Sequence, residues 1–200
     1  MRRVFAYLLK HRHIDKNVIS HFARAGTLYE DAKYHNCVFI GRDEAGKACH
    51  AHKRSTNSYG EAFRINVEGG DPRYTFHHLG NDGSLYVFEA PIDLLSFISL
   101  YPKGWQEHNY VACCGVSIQP VLKMLERMPT PDTVYLCLDN DAAGQKACER
   151  MANELAGRSV SSVRIAPQRK DWNEDLVRAY ERQREAKERE RSFSKGEMEY

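Results

Sequence analysis

Four short apolar runs mark the second half of the chain. They read LYVF, YVACC, TVYLCL and SVRIA, and each is nearly continuous. Such runs are typical of strands that are buried on both faces of a parallel sheet. Helical patterns at 92–100, 118–128, 142–156 and from 174 onward separate or follow them. The alternation predicts an α/β fold, an open and mainly parallel sheet of about four strands with flanking helices.

The first half of the chain has a different pattern. Apolar residues at helical spacing predict two short helices within residues 2–25, interrupted by HRHID. The segment CVFIGRDEAGKACHAHKRS alternates around a turn and predicts a β-hairpin with Gly46 at the bend. Residues 55–84 are rich in Gly, Asn, Ser and Asp, which predicts a loop-rich connection with short strands at AFRINV and YTFHH. These elements predict a small α+β subdomain before the sheet.

The last residues are mostly charged. After Leu176, acids and bases recur at three- and four-residue spacing, which supports a solvated helix. We therefore predict a basic N-terminal subdomain over 1–82, a sheet domain over 83–177 and a charged helical extension over 178–200. No apolar run approaches the ~18 residues of a membrane span, and the first residues do not resemble a secretion signal. We expect a cytoplasmic protein with no membrane partner.

Charge is distributed unevenly although the net charge is only +2. Residues 1–80 carry 13 Lys or Arg and 8 Asp or Glu, whereas residues 81–177 carry 9 and 13. A basic front half beside an acidic back half suits a polyanion that is held next to a cation site. Imbalances of this size also arise on ordinary solvated surfaces, so both interpretations stay open.

The cysteines give little indication of a disulfide framework or a zinc site. The six cysteines include no C-x-x-C pair, and several lie in apolar runs where a thiol packs as a small hydrophobic group. Cys37, Cys49, His50 and His52 have the spacing of no standard zinc finger, and strand alternation places neighbours on opposite faces. We therefore do not expect zinc at these residues.

Acidic residues follow two of the predicted strands directly. Glu89 comes after LYVF, and Asp139 and Asp141 come after the third apolar run. In open α/β sheets the functional groups gather at the carboxyl ends of the strands, and carboxylates are preferred ligands of hard cations. The pattern predicts a Mg²⁺ or Mn²⁺ site at Glu89, Asp139 and Asp141. Two structural alternatives remain open, because Asp141 also suits a helix N-cap and Asp93 suits the first turn after Pro91.

Three motifs together resemble a known domain. The acid in VFEAPIDLLS, the glycine in VACCGVS and the D-x-D-x-x-G of CLDNDAAG resemble, over residues 84–166, the Toprim domain of bacterial primases, topoisomerases and several nucleases. The segment RKDWNEDL resembles the part of primase-type Toprim proteins where another acid approaches the metals, with Asn173 at the second acidic position. The chain shows neither the zinc-ribbon cysteines nor the helicase-docking region of full-length primases.

The first half extends the resemblance. YLLKHRHIDKNVISHF and the hairpin are similar to the basic subdomain that precedes Toprim in bacterial primases. They are closer still to the Toprim-like proteins of plasmids and mobile elements. We therefore interpret the chain as a primase-like Toprim protein with an N-terminal primase-like subdomain.

This resemblance implies roles for named residues. The catalytic residues would be Glu89, Asp139 and Asp141, which would also ligate the metal together with Asp171. Nucleic-acid or nucleotide phosphates would contact basic side chains, namely Arg42, Lys53, Arg54 and Lys170. Structural residues at the site would be Asp93, Gly115 and Gly144, with Gly115 allowing close backbone approach.

The resemblance also implies a function. It favours primase-like nucleotidyl transfer on a DNA template, dependent on Mg²⁺ or Mn²⁺, with single-stranded DNA and nucleotides as ligands. A helicase or a relaxase is the expected protein partner. Two alternatives stay open: a Toprim nuclease that cleaves phosphodiesters with the same acids, and a non-catalytic module that binds nucleic acid.

Overall fold

Two short helices open the fold, as the sequence predicts. The computed structural model describes residues 1–57 and 63–196, with side chains described through residue 191. Helix α1 (Arg2–Ala6) continues into a π-helical turn over Tyr7–His11. Helix α2 (Lys16–Arg24) begins after Asp15, whose carboxylate accepts hydrogen bonds from the amides of Asn17 and Val18. This side-chain cap satisfies two amides that the first helical turn leaves unpaired.

A four-stranded antiparallel sheet follows the helices. Its strands lie in chain order and are β1 (Leu28–Glu30), β2 (Cys37–Arg42), β3 (Ala48–Arg54) and β4 (Arg64–Asn66). Strands β2 and β3 form the predicted hairpin, and Gly46 takes the left-handed conformation at the turn, with φ of 79°. Residues 58–62, which belong to the predicted loop-rich connection, lie outside the described residues.

The second sheet has five strands in the order β5-β7-β6-β8-β9. Four strands run parallel: β6 (Ser84–Phe88), β7 (Asn109–Ala112), β8 (Thr133–Leu136) and β9 (Ser161–Arg164). The short β5 (His77–His78) pairs antiparallel with β7 at one edge. The predicted mainly parallel α/β sheet is therefore confirmed, and the end of the YTFHH run adds an antiparallel edge strand.

Helices cover both faces of this sheet. They are α3 (Pro91–Leu100), α4 (Gln119–Arg127), α5 (Ala142–Ala156) and α6 (Trp172–Gly196). Alternate residues of β6 separate into two buried clusters, because side chains on a strand point to opposite faces. Val87 packs in a cluster with Met124 and Met151. Phe88 packs in the other, which also contains Phe22 of α2. The N-terminal helices and the second sheet thus share one core. This shared core fixes the first sheet beside the carboxyl ends of the parallel strands.

No described helix is both long enough and apolar enough to span a membrane.

A polar clasp joins the hairpin turn to α4. The guanidinium of Arg127 donates to Nε2 of His77 at 2.9 Å and to the carbonyl of Arg42 at 3.3 Å. Glu44, in the turn, forms an ion pair with Lys123 at 3.0 Å. Burial, together with the smaller effect of the nearby Arg127 charge, lowers the pKa of His77 to about 4, although the hydrogen bond to the backbone of Thr75 raises it. The clasp therefore needs a neutral imidazole, since a protonated ring cannot accept from Arg127.

We expect this histidine to weaken the fold in acid. The pKa of His77 is lower in the folded chain than its ordinary 6.5, so the folded state resists protonation. Stability is full above the ordinary pKa and falls as the pH drops towards about 4, by at most about 3 kcal/mol. Urea unfolding of His77→Gln should lose less stability between pH 7.5 and pH 4.5 than the wild type does. An equal loss in both proteins would contradict the assignment, and the exposed His11→Gln serves as the control.

Candidate active site

The predicted acids meet at one cavity at the strand ends. Glu89 follows β6, and Asp139 and Asp141 follow β8, which pairs directly with β6. The cavity has a volume of about 380 Å³, and Asp93 and Asp171 also line it. The site thus forms at the carboxyl ends of neighbouring parallel strands, as the sequence predicts for this fold.

Hydrogen bonds between loops hold the acidic segments together. The amide of Asn140 donates to the carbonyl of Lys170 at 2.7 Å, and its side chain donates to the carbonyl of Pro167 at 3.2 Å. The amide of Gly115 donates to the carbonyl of Glu89 at 3.1 Å. These contacts fix the loops after β6, β7, β8 and β9 relative to one another, so Lys170 and Asp171 lie at the same cavity as the other acids.

Two acids combine a place at the cavity with a helix cap. Asp141 accepts hydrogen bonds from the amides of Ala143 and Gly144 at the start of α5. Asp171 accepts from the amide of Glu174 in the first turn of α6. The capping alternative for Asp141 is therefore present in the structure. Capping by one carboxylate oxygen leaves the other oxygen available to a cation.

Burial and like charges perturb the acids. Asp139 is 9% exposed, and its pKa is raised to about 7, first by burial and then by the charges of Glu89 and Asp171. Burial also raises the pKa of Glu89. Asp93 is 6% exposed, and burial followed by the charge of Asp171 raises its pKa well above the ordinary value. Clusters of acids whose pKa values are raised by burial and by mutual repulsion are common at functional sites.

The cavity has unpaired acceptors on one side and an unpaired donor on another. Oε1 of Glu89, Oδ1 of Asp139 and Nε of Arg54 are buried, and none of them has a hydrogen-bond partner in the described part of the chain. Buried polar atoms are almost always paired in folded proteins. The two carboxylate oxygens fit a cation, and the guanidinium fits an anion.

The structure does not assemble a complete set of metal ligands. Within residues 1–57 and 63–191, no three His, Cys, Asp or Glu side chains are placed to hold one ion together. This result includes Cys49, His50 and His52 in the hairpin. The three-carboxylate site at Glu89, Asp139 and Asp141 therefore stays a prediction, supported by the two unpaired oxygens.

Only part of the predicted basic surface lies at the cavity. Arg54 and Lys170 line it, but Arg42 and Lys53 do not. The guanidinium of Arg42 donates to the carbonyls of Gly46 and Gly26, so it braces the hairpin. Lys53 neighbours Arg54 on β3 and therefore points to the other face of the sheet. The alternation of side chains along this strand was the sequence signal that could have assigned Lys53 and Arg54 to opposite faces.

Two further arginines at the cavity were missed from the sequence. Arg64, on β4, lowers the pKa of Asp139, against the larger effect of burial. Arg12, just after the first helix, donates to the hydroxyl of Tyr7 at 2.8 Å and to Oδ1 of Asn173 at 3.0 Å. No local pattern marks either residue, because packing of the N-terminal subdomain against the sheet brings them to the site.

Asn173 has a structural role in place of an acid. It is 4% exposed, and its amide nitrogen donates to the carbonyl of Arg12 and to the hydroxyl of Ser96, both at 2.9 Å. An aspartate could accept from Arg12, but it could not make these two donations. Asn173 therefore connects α6 to the N-terminal segment and to α3.

The two predicted glycines are required for different reasons. Gly115 has φ of 147°, a conformation that favours glycine, and nothing described lies within 4 Å of an added Cβ. Among the described residues its requirement is thus conformational, and close backbone approach to a ligand stays a prediction. Gly144 is crowded, because an added Cβ would lie 2.2 Å from the carbonyl oxygen of Asp139 and 2.9 Å from Oε1 of Glu89.

Gly144→Ala is expected to disrupt the acidic cluster. The methyl group must displace the backbone of Asp139, and overpacking of this kind costs roughly 1–3 kcal/mol. Thermal unfolding should show this loss, and Mn²⁺ titration should show weaker binding. Gly157→Ala is the matched control, because its added Cβ meets atoms only at 3.5 Å or more. Equal stability and equal Mn²⁺ binding in both variants would contradict the crowding argument.

Two family models match consecutive parts of the chain. Residues 86–176 match the family model described as Toprim-like, and residues 6–82 match DUF3991, described as a protein of unknown function. The chain therefore contains a Toprim-like domain, and a DUF3991 region precedes it. The resemblance predicted from the sequence motifs is confirmed.

Two curated proteins are similar in sequence. The uncharacterized protein pXO2-78 of Bacillus anthracis is 26% identical over 95% of this chain and 61% of its own length. The uncharacterized MG010 homolog of Mycoplasma pneumoniae is 32% identical over 47% of this chain and 43% of its own length. The chain thus spans less than two thirds of either relative.

Solved primase structures share the fold. The primase fragment of the bacteriophage T7 primase-helicase protein superposes with a TM-score of 0.66 at 22% identity, covering 87% of this chain and 70% of that one. The E. coli primase catalytic core superposes with a TM-score of 0.56 at 17% identity, covering 86% and 67%. Both superpositions include most of the N-terminal subdomain as well as the Toprim-like domain.

Proposed function

We propose that the chain catalyses metal-dependent nucleotidyl transfer on a single-stranded DNA template, as primases do. One observation carries the proposal: Glu89, Asp139 and Arg54 line one cavity, and each carries a buried polar atom that has no hydrogen-bond partner among the described residues. A nucleotide phosphate with its divalent ion has the two charges that such a cavity lacks. The fold shared with primase fragments supports synthesis over cleavage, because it extends through the basic N-terminal subdomain.

The basic residues would bind and orient phosphate groups. Arg12, Arg54, Arg64 and Lys170 line the cavity from four segments of the chain. Guanidinium groups bind phosphate oxygens in a fixed planar geometry, so they position a nucleotide as well as neutralise it. Arg12 is held in place because its guanidinium donates hydrogen bonds to Tyr7 and Asn173. The proposed role of these bases is to bring a phosphate to the acidic side of the cavity.

The acids would hold a divalent ion, as Toprim domains generally do. Glu89 and Asp139 supply the unpaired oxygens, and Asp141 and Asp171 are the further proposed ligands. When bound, Mg²⁺ or Mn²⁺ would neutralise charge on the phosphoryl group during in-line displacement. Because Oε1 of Glu89 and Oδ1 of Asp139 are buried, bulk water competes little for these oxygens. A helicase or relaxase that delivers the template remains the proposed partner.

The reaction can be tested directly. Purified protein is incubated with a single-stranded template, labelled ribonucleotides or deoxyribonucleotides, and Mg²⁺ or Mn²⁺. We expect short new chains with the wild type and none with Glu89→Gln, because the amide removes the negative charge that attracts the metal. End-labelled template in a parallel reaction reports cleavage.

Each outcome separates the candidate activities. Template fragments without new chains would favour a nuclease that uses the same acids. Products that persist in both Glu89→Gln and Asp139→Asn would remove this site from the mechanism. Absence of both products with wild-type protein would contradict catalysis by this chain on its own.

A further inference from the structure

A chain of hydrogen bonds fixes the orientation of His52 at the cavity. The side-chain nitrogen of Asn66 donates to the carbonyl oxygen of Cys114 at 3.1 Å. A carbonyl oxygen only accepts, so this contact requires the NH₂ group of Asn66 to face Cys114. The amide oxygen of Asn66 must then face His52, and it lies 2.7 Å from Nδ1 of the imidazole.

This orientation selects one tautomer of the imidazole. Nδ1 has to carry the proton that is donated to the oxygen of Asn66. Burial lowers the pKa of His52, and the charges of Arg64 and Arg54 lower it too, while the hydrogen bond to Asn66 opposes them. The ring is therefore neutral near pH 7, and Nε2 has an unprotonated lone pair.

The residue that carries this free nitrogen lines the candidate cavity. His52 is 5% exposed and lines the cavity beside Arg54 and Arg64, which share its side of the first sheet. No hydrogen bond to Nε2 is formed by any residue within the described ranges. The neighbouring ring of Phe39 lies 6.4 Å away and offers no polar group. A ligand is therefore the natural partner of Nε2.

The chemistry of the lone pair restricts that partner. An acceptor repels phosphate oxygens and needs a ligand group that can donate a proton. Arg54 and Arg64 pair with each other across β3 and β4, next to His52 on the same face, and both are suited to phosphate. The acceptor on His52 therefore faces the part of a nucleotide next to its phosphates. We propose that Nε2 of His52 accepts a hydrogen bond from a sugar hydroxyl of a nucleotide bound in this cavity. This inference rests on the nucleotide-binding function proposed above.

The tautomer can be observed without any activity. Long-range ¹H–¹⁵N correlation spectra of the full chain should show His52 protonated at Nδ1 and unprotonated at Nε2 at pH 7. Asn66→Ala should lose this pattern, because the acceptor for Nδ1 is removed. A wild-type His52 protonated at Nε2, or doubly protonated, would overturn the inference.

The hydroxyl can be identified with nucleotide analogues. Binding of ATP, 2′-deoxy-ATP, 3′-deoxy-ATP and 2′,3′-dideoxy-ATP is measured by calorimetry with Mg²⁺ and without template. In the wild type, loss of the contacted hydroxyl should weaken binding by about three- to tenfold, the effect of one hydrogen bond. In His52→Ala that difference should disappear, and in His52→Gln, which keeps an acceptor, it should be partly retained. The analogue that loses affinity shows which hydroxyl is bound.

A matched control uses the other buried histidine of β3. His50 lies outside this cavity, so His50→Gln should discriminate among the analogues as the wild type does. Circular dichroism and thermal unfolding establish that each variant is folded. Nucleotide binding with the same discrimination in wild type and His52→Ala would overturn this inference and leave the proposed function intact. Failure of the wild type to bind any of the nucleotides would contradict the proposed function and this inference with it.

Discussion

We expect Asp139→Asn to lower the affinity of the protein for Mn²⁺ by at least about 100-fold. Mutation of a residue that only hydrogen-bonds to a metal ligand typically lowers metal affinity by about 10- to 100-fold. Mutation of a direct ligand should therefore lower it by about 100-fold or more. Asp139 is 9% exposed, and its Oδ1 has no partner among the described residues. Asparagine has a similar shape, but it removes the negative charge that attracts the ion.

The same substitution should not weaken the metal-free protein. It removes one of several like charges from a buried cluster, so the thermal midpoint without metal should stay equal or rise. Calorimetric titration with Mn²⁺ and thermal unfolding are run on Asp139→Asn, on Glu89→Gln and on the exposed control Glu149→Gln. Loss of binding by a variant of undiminished stability identifies a ligand. Affinity equal to that of the wild type would contradict the predicted metal site.

The sheet could be predicted from sequence because its strands are buried on both faces. Leu85 and Val87 belong to one buried cluster, while Phe88 belongs to the other. Both sets must be apolar, so the strand is a continuous apolar run and its end is marked by the first acid, Glu89. The acids at strand ends followed from this pattern, since parallel strands bring their carboxyl ends to one edge.

Two bases of the site were harder to predict because they come from the N-terminal subdomain. Arg12 and Arg64 reach the cavity only when the N-terminal helices and β4 pack beside the parallel sheet. That arrangement depends on contacts between distant segments, such as Arg12 with Asn173, which no local periodicity reports. Lys53 and Arg54 are adjacent in sequence, but strand alternation sends them to opposite faces.

His52 illustrates a second limit of the sequence. In the sequence it is one of two histidines close to cysteines, whose spacing matches no standard zinc site. Its tautomer depends on Asn66 and on the carbonyl of Cys114, which lies 48 residues beyond Asn66 in the chain. A hydrogen-bond chain across two sheets has no signature in spacing or composition.

We expect Arg54→Ala combined with Arg64→Ala to cause the largest loss of affinity for single-stranded DNA. Both guanidinium groups line the cavity, and Nε of Arg54 is buried without a described partner. Each phosphate contact to a single strand contributes about −0.7 to the slope of log K against log salt concentration. Four contacts, from Arg12, Arg54, Arg64 and Lys170, give a slope of about −3, or roughly a 50-fold loss between about 50 and about 200 mM salt.

The double variant should change both the affinity and its salt dependence. Removal of two contacts should reduce the magnitude of the slope by about 1.4, so the difference from the wild type should be greatest at low salt. Fluorescence anisotropy with a labelled oligonucleotide across a salt series measures both quantities. Lys53→Ala is the matched control, because this lysine neighbours Arg54 on β3 but does not line the cavity. A wild-type affinity that ignores salt would contradict phosphate binding. A loss in Lys53→Ala as large as in the double variant would instead place the DNA on the opposite face of the first sheet.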